Sequence, residues 1–227
     1  MREKLTYALI AAGALFFFVN LYGVFDVLPD EAAQGPIYRI MFIHIPAAFT
    51  CFIGFFTAMF LSIGYLSTGK LGLDAAAASI NEVSLMFALI NVVTGSIWAR
   101  IIWGIWWTWD YRLTSMFVCL LIYTGYLLLR KSIAEPTQRA RLSAAMSIFG
   151  CVDIVIVWKS IQWFRTQHPG PVLSIRTGGG NIDPNMEAMV YRNVLAFLLI
   201  AAGIILVRMR QEETEREIDA LRRLAHA

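Results

Sequence analysis

Residues 103–114 read Trp-Gly-Ile-Trp-Trp-Thr-Trp-Asp-Tyr-Arg-Leu-Thr, and five of the chain's seven tryptophans lie between positions 98 and 109. A belt at a membrane interface needs only about one or two tryptophans per helix end, with the ring in apolar surroundings and the N–H near water. The density of this tryptophan segment, residues 98–114, instead predicts a flat aromatic surface built from Trp103, Trp106, Trp107 and Trp109. Charged residues border that surface at Arg100, Asp110 and Arg112.

The composition around this segment is that of a membrane protein. Of the 227 residues, 58% are hydrophobic and 15% are charged, and the mean hydropathy is +0.62. A soluble domain carries about 25% charged residues. The net charge of +3 is small and the basic residues form no stripe, so nucleic acid is not expected as a partner. The first apolar run has no small-residue cleavage site, which predicts a retained spanning helix rather than a signal peptide.

Six apolar segments follow one another along the chain, at residues 5–25, 40–66, 83–99, 113–129, 142–158 and 188–207. Each is close to the ~20 residues that cross ~30 Å of hydrocarbon. Backbone polar groups cannot stay unpaired in lipid, so each segment is predicted to be a helix. The predicted fold is an all-α integral membrane protein, a bundle of six transmembrane helices over residues 1–207. Residues 208–227 are predicted to form a cytoplasmic amphipathic tail.

The distribution of basic residues predicts the orientation of the bundle. With the N-terminus inside, twelve Lys and Arg residues fall on the inner segments and the tail, and seven fall on the outer segments. Basic residues are enriched on the cytoplasmic side of membrane proteins. Both termini are therefore predicted to be cytoplasmic, and the tryptophan segment, between helices three and four, is predicted to lie on the outer face.

Two of the three histidines come to the same outer face in this topology. His44 is at the outer end of helix two, His168 is in the third outer loop, and His226 is in the tail. A single histidine at an interface is more often structural than a ligand, but two beside an aromatic surface favour metal ligation. Neutral imidazole is a good ligand of haem iron, and a pair would hold that iron six-coordinate. The chain contains no H-E-x-x-H or E-x-x-H motif that would indicate a zinc or di-iron site.

The basic residues near the aromatic surface are candidates for binding anionic groups. An aromatic surface with basic edges suits a large, flat, apolar molecule that carries anions, and a porphyrin with its propionates fits that description. Arg100, Arg112 or Arg176 would pair with a propionate, and Arg112 is the strongest candidate because it lies inside the segment. Solvation or lipid headgroups are the alternative partners of each arginine. Asp110 would repel a propionate, so it is predicted to orient Arg112 or a tryptophan N–H, or to cap helix four.

The remaining polar and sulfur-containing residues of the apolar segments have simpler explanations. Cys51, Cys119 and Cys151 form no C-x-x-C pair and are predicted to be small buried hydrophobic residues. Asp153 is predicted to face the bundle interior, as part of a polar path or an interhelical hydrogen bond. Interhelical hydrogen bonds also account for the polar residues of helix three near the tryptophans, which are Asn91, Thr94 and Ser96. The glycine run at residues 178–180 is predicted to be a flexible turn.

Four stretches, at residues 39–48, 93–98, 103–115 and 163–168, together resemble the WWD family of haem-handling membrane proteins, and within it the CcmC family of cytochrome c maturation. The resemblance implies that His44 and His168 are axial ligands of haem iron. It also implies a bacterial inner-membrane location, a periplasmic site and transient, non-covalent binding of haem b. The partners implied are the haem chaperone CcmE, the ATP-binding-cassette pair CcmA and CcmB, and the small subunit CcmD.

Three function classes are distinguished by where the polar residues lie. The favoured class is a haem-binding export and delivery subunit that catalyses no reaction itself, whether haem crosses the bilayer through this chain or is received at the outer face. The alternative is a membrane b-type cytochrome electron carrier, which would need histidine pairs in both leaflets. A transporter of a polar solute would need a polar cavity at the midplane and broken helices. The candidate cofactor-binding residues are His44, His168, Trp103, Trp106, Trp107, Trp109, Asp110 and Arg112.

Overall fold

The computed structural model describes residues 2–170, 173 and 182–225. These residues contain six long helices, each long and apolar enough to cross a membrane, which confirms the predicted all-α six-helix bundle and a multi-pass membrane protein. The helices are α1 (Arg2–Tyr22), α2 (Met41–Thr68), α3 (Leu71–Ile102), α4 (Tyr111–Ser132), α5 (Pro136–Trp163) and α6 (Pro184–Ala225). Arg176, the glycine run at 178–180 and His226 lie outside the described residues.

Helices α3 and α6 extend furthest beyond the apolar segments that predicted them. Helix α3 begins at Leu71 rather than at residue 83, and α6 continues to Ala225. The extra part of α3 contains Asp74 and Glu82, which lower its hydropathy although both are paired with arginines of other helices. Residues 208–225, predicted to be a short amphipathic helix, are the direct continuation of α6.

The helix boundaries are set by residues with well-understood end preferences. Gly69 ends α2 in the left-handed conformation, with a φ of 69°. The Glu135 carboxylate accepts hydrogen bonds from the first turn of α5, where Pro136 takes the first helical position. Because α2–α3 and α4–α5 are joined by short turns, the longer connections gather at the opposite end of the bundle. We call it the loop end; it is where α1, α3 and α5 end and α2, α4 and α6 begin.

Helix α2 lies at the centre of the bundle and contacts α3, α5 and α6, whereas α1 lies against α6 and α4 against α5. In the core, the Phe55 ring stacks on the Tyr123 ring at a centroid distance of 3.6 Å. All three cysteines are buried and free. Asp153 faces the interior, as predicted for an acid in a membrane helix, and is only 9% exposed.

A group of charged residues joins α3, α4 and α6 at the end of the bundle opposite the loops. The carboxylate of Asp74, 3% exposed, binds Arg130 at 2.7 Å and Arg216 at 2.6 Å. Both arginines also bind Glu212. Buried charges are tolerated when they are paired in this way. These ion pairs fix the C-terminal part of α6 against the bundle. The candidate site lies at the other end, the loop end.

Candidate functional site

A cavity of about 290 Å³ opens at the loop end between α2, α3, α4 and α5. This volume is near the lower limit of the ~300–1,000 Å³ typical of small-molecule sites. The cavity wall includes both predicted histidines, several aromatic side chains and one arginine. Among these residues are His44, His168, Trp98, Trp103, Trp107 and Arg112.

The backbone around His44 is held by a contact between α2 and α6. Pro46 lies inside α2 and has no N–H, so the carbonyl of Phe42, four residues earlier, lacks its usual helical partner. The side-chain amide of Asn193 donates a hydrogen bond to that carbonyl at 2.9 Å. This bond satisfies the free acceptor and ties the first turns of α2, which carry His44, to α6.

The His44 ring is oriented by two polar residues of α3. Its Nδ1 lies 3.1 Å from the Thr94 Oγ1, and the Thr94 hydroxyl donates its own hydrogen to the Ile90 carbonyl at 2.7 Å. The Thr94 oxygen is therefore the acceptor and the His44 Nδ1–H the donor, which leaves a lone pair on Nε2. The Asn91 amide donates to the His44 carbonyl at 3.0 Å, and its nitrogen also lies 3.3 Å from each of the two ring nitrogens.

The space for the His44 ring is provided by Gly95 and bordered by Trp98. A Cβ atom added to Gly95 would lie 2.9 Å from the His44 Cε1, so the ring occupies the place of a side chain at this position. The Trp98 ring meets the His44 ring edge-on at 5.8 Å. Its indole N–H donates to the Gln34 side chain at 2.7 Å, which joins the segment before α2 to the cavity wall.

His168 reaches the cavity from the segment after α5. Its Nδ1 donates to the Pro169 carbonyl at 2.8 Å, and because a carbonyl only accepts, Nε2 again carries the lone pair. Burial lowers the pKa of His168, and the positive charge of Arg112 lowers it further. The imidazole is thus held neutral, which is the form that binds a metal.

Asp110 caps the first turn of α4 and also binds the His168 segment. Its carboxylate accepts hydrogen bonds from the Arg112 backbone N–H at 2.9 Å, the Thr166 hydroxyl at 2.6 Å and the Gln167 backbone N–H at 2.9 Å. Burial raises the pKa of Asp110, but these hydrogen bonds outweigh it and hold the pKa below its usual value. Of the predicted roles, the cap of helix four is the one observed, and Asp110 is not in the cavity wall.

Arg112 is the basic residue of the cavity wall. Its guanidinium donates to the Val157 carbonyl of α5. Among the described residues no carboxylate lies within ion-pair distance of it; Asp110 acts on its charge from farther away, and Glu31 is the acid of the cavity wall. Arg100, the other described candidate, donates instead to the Gly104 carbonyl and does not line the cavity.

The structure divides the four predicted tryptophans between two surroundings. Trp103 and Trp107 line the cavity, whereas Trp106 is 61% and Trp109 is 75% exposed. The chain bends at Gly104, whose φ of 76° favours glycine, between Trp103 and the other three predicted tryptophans. Trp107 and Trp109 meet edge-on at 6.1 Å rather than lying in one plane.

Several residues of the site were not identified from the sequence. The sequence places Trp98 only in the tryptophan segment and predicts interhelical hydrogen bonds for the polar residues of α3. Those bonds do join two helices, but their partner on α2 is the His44 ring. The signal in the sequence was an Asn and a Thr, three residues apart, followed at once by glycine.

The chain is similar to a group of proteins described as haem exporters. The family model "Heme exporter protein C", CcmC, matches residues 1–224. "Heme exporter protein C" of Bradyrhizobium diazoefficiens is 30% identical over 213 residues, 94% of this chain and 80% of that protein. The protein of the same name from Escherichia coli strain K12 is 32% identical over 188 residues, 82% of this chain and 74% of that protein. A "Putative cytochrome c biosynthesis ccmC-like mitochondrial protein" of Arabidopsis thaliana is 31% identical over 214 residues, 92% of this chain and 80% of that protein.

Proposed function

Because this chain belongs to the heme exporter protein C (CcmC) family, we propose that it binds haem at the loop end and delivers it for the maturation of c-type cytochromes. One observation carries this proposal. His44 and His168 line one cavity, and each donates its Nδ1–H to an oxygen, so both rings keep Nε2 as an acceptor. Haem iron offers two axial positions for neutral imidazole nitrogens.

The other residues of the cavity wall suit the remainder of the haem molecule. Arg112 is the partner we assign to a propionate, because its guanidinium matches a carboxylate and forms no ion pair within the described chain. Trp103 and Trp107 are assigned to the macrocycle, whose apolar faces and edges pack well against indole rings. Asp110 acts on the site through the His168 segment rather than by contact with haem.

The open mouth of the cavity suits a subunit that hands haem on. The cavity opens at the loop end, so one edge of the macrocycle stays exposed to a partner. Trp106 and Trp109 are exposed beside the cavity, and we assign them to the part of haem that extends beyond it. The haem is haem b, bound without a covalent bond and only transiently.

We propose that the loop end is periplasmic and that both termini are cytoplasmic, because the excess of basic residues lies on the other side of the bundle. The membrane is the bacterial inner membrane. CcmE is the haem chaperone that receives the cargo, and CcmA, CcmB and CcmD are the partner subunits. The ATPase activity resides in a partner, and this chain is a haem-handling subunit, not an enzyme.

An electron carrier of the b type is the alternative that the chain fits less well. Such a carrier passes electrons across the bilayer between haems held by histidine pairs near both faces. Apart from His44 and His168, the sequence contains only His226, in the tail. A second pair of histidine ligands is therefore excluded by composition.

The ligand assignment is tested by absorption spectra of the haem-loaded protein and of three variants. We expect His44→Ala and His168→Ala each to change the Soret band and to lower haem retention, because each removes one axial ligand. His226→Ala is the matched control and should behave like the wild type. Unchanged spectra and full haem content in both of the first two variants would refute the assignment.

A further inference from the structure

We infer that Asp110 is a positioning residue that fixes His168 at the cavity, and that its contacts with residues 166–167 open when His168 leaves the haem iron. This inference rests on the proposed function, since it takes His168 to be a haem ligand. It concerns how the ligand is held and released, and it assigns to Asp110 a part that does not involve contact with haem.

The connection from Asp110 to His168 is continuous through hydrogen bonds. The carboxylate accepts from the Thr166 hydroxyl at 2.6 Å and from the Gln167 backbone N–H at 2.9 Å. The Thr166 oxygen in turn accepts from the His168 backbone N–H at 3.0 Å. Three consecutive residues are thus anchored, directly or through one hydroxyl, to a single carboxylate at the start of α4.

No other hydrogen bond holds this segment to the helices in the part of the chain that the structure describes. Within residues 165–170, each hydrogen bond to another element ends on Asp110. The remaining bonds, from His168 to Thr166 and to Pro169, are internal to the segment. The segment has no helical backbone bonds of its own, so this carboxylate is its hydrogen-bonded anchor, next to the Phe164 ring, which stacks on Tyr111 of α4 at 4.3 Å.

His44 is held in a different way, and the difference identifies the ligand that leaves. It lies within α2, its carbonyl accepts from Asn91, and its ring fits against Gly95. Moving His44 would require α2 to shift against α3 and α6. Moving His168 breaks the hydrogen bonds at Asp110 and shifts no helix. The His168 segment is therefore the one that opens, and His44 stays in place.

Two nearly isosteric substitutions separate this role from the helix cap. Asp110→Asn keeps a side-chain oxygen for the Arg112 N–H, and Asn is as good a helix cap as Asp. It replaces the second oxygen with an NH₂ group that cannot accept from the Gln167 N–H. Thr166→Val removes the hydroxyl that joins Asp110 to His168, and Thr166→Ser, which retains the hydroxyl, is the matched control.

The experiment measures the absorption spectrum and the haem dissociation rate of the haem-loaded full-length protein. We expect Asp110→Asn and Thr166→Val to convert part of the six-coordinate haem to five-coordinate and to raise the dissociation rate about tenfold, the effect of losing a hydrogen bond to a charged group. Added imidazole should restore the six-coordinate spectrum. Thr166→Ser should match the wild type. The double variant should lose little more than the stronger single variant, since both act through one unit.

Two results would overturn the inference. One is a wild-type spectrum and dissociation rate in both Asp110→Asn and Thr166→Val. The other is a loss of haem in which added imidazole does not restore the six-coordinate spectrum, together with a lower unfolding temperature. That result would mean that Asp110 acts only as the cap of α4. The His168→Ala variant separates these results from failure of the proposed function. If His168→Ala has the wild-type spectrum, the ligand assignment is wrong. If His168→Ala differs from the wild type while both Asp110→Asn and Thr166→Val match it, only this inference is wrong.

Discussion

The Nδ1 of His44 lies 3.1 Å from the Oγ1 of Thr94, so a residue of α3 determines which nitrogen of a histidine on α2 carries the proton. The second partner of a ligating imidazole commonly fixes its tautomer and orientation. Here that partner is a hydroxyl whose own hydrogen is already donated to the Ile90 carbonyl. Helix α2 therefore supplies the His44 ring, and helix α3 fixes the orientation of that ring and the position of its proton.

Replacing Thr94 with valine keeps the shape of the side chain and removes this acceptor. We expect haem affinity to fall about tenfold, near the lower limit of the 10- to 100-fold losses seen when outer partners of metal ligands are removed. Titration of the purified protein with haem measures the affinity. Thr94→Ser retains the hydroxyl and should bind like the wild type. An unchanged affinity in Thr94→Val would mean that the tautomer is fixed by another group.

Adding one methyl group at Gly95 is expected to displace the His44 ring. The new Cβ would lie 2.9 Å from the ring Cε1, closer than side-chain atoms pack. Gly95→Ala should therefore reduce the six-coordinate fraction of haem. It should not unfold the bundle, because alanine has a higher helix propensity than glycine. The control is Gly72→Ala, also on α3, where no atom lies within 4 Å of the added Cβ. Equal spectra in the two variants would contradict the packing argument.

Arg112 is expected to discriminate between haem and haem with esterified propionates. Arg112→Gln should weaken the binding of haem about tenfold, because a charge-assisted hydrogen bond is lost, and should leave the binding of the diester unchanged. Arg100→Gln is the control, since Arg100 lies outside the cavity wall. Two results together would show that the guanidinium does not contact a propionate. The first is that the wild type binds haem and the diester with equal affinity, and the second is that Arg112→Gln binds haem as tightly as the wild type does.

The tryptophans are expected to differ according to the surroundings that the structure gives them. Trp107→Ala should lower haem retention more than Trp106→Ala, because Trp107 lines the cavity and Trp106 is 61% exposed. Each aromatic contact contributes about 0.5–1.5 kcal/mol beyond burial, so single losses are moderate and several rings act together. Replacing all four predicted tryptophans with alanine should abolish delivery. A variant with four phenylalanines that still loads the chaperone would support a simple interface belt.

The sequence predicted most of the bundle because hydropathy reports directly on burial in lipid. It failed for the first part of α3, where Asp74 and Glu82 lower the hydropathy and their arginine partners are distant in the sequence. It placed His44 and His168 at one end because alternating helices bring every second connection to the same side. The partners of these histidines depend on helix packing and could not be predicted, since Thr94 lies 50 residues from His44. The surroundings of each tryptophan depend on the bend at Gly104, and hydropathy does not predict such a bend.

The most direct test of the account is the transfer of haem from this protein to a partner. The purified, haem-loaded protein is mixed with the soluble domain of the haem chaperone in the presence of the cassette ATPase, and the haem on each protein is followed by absorption. We expect haem to leave this chain and appear on the chaperone, and His44→Ala and His168→Ala to reduce the amount delivered. Haem that never transfers, together with rapid and reversible electron exchange in this chain alone, would contradict the account and support an electron carrier.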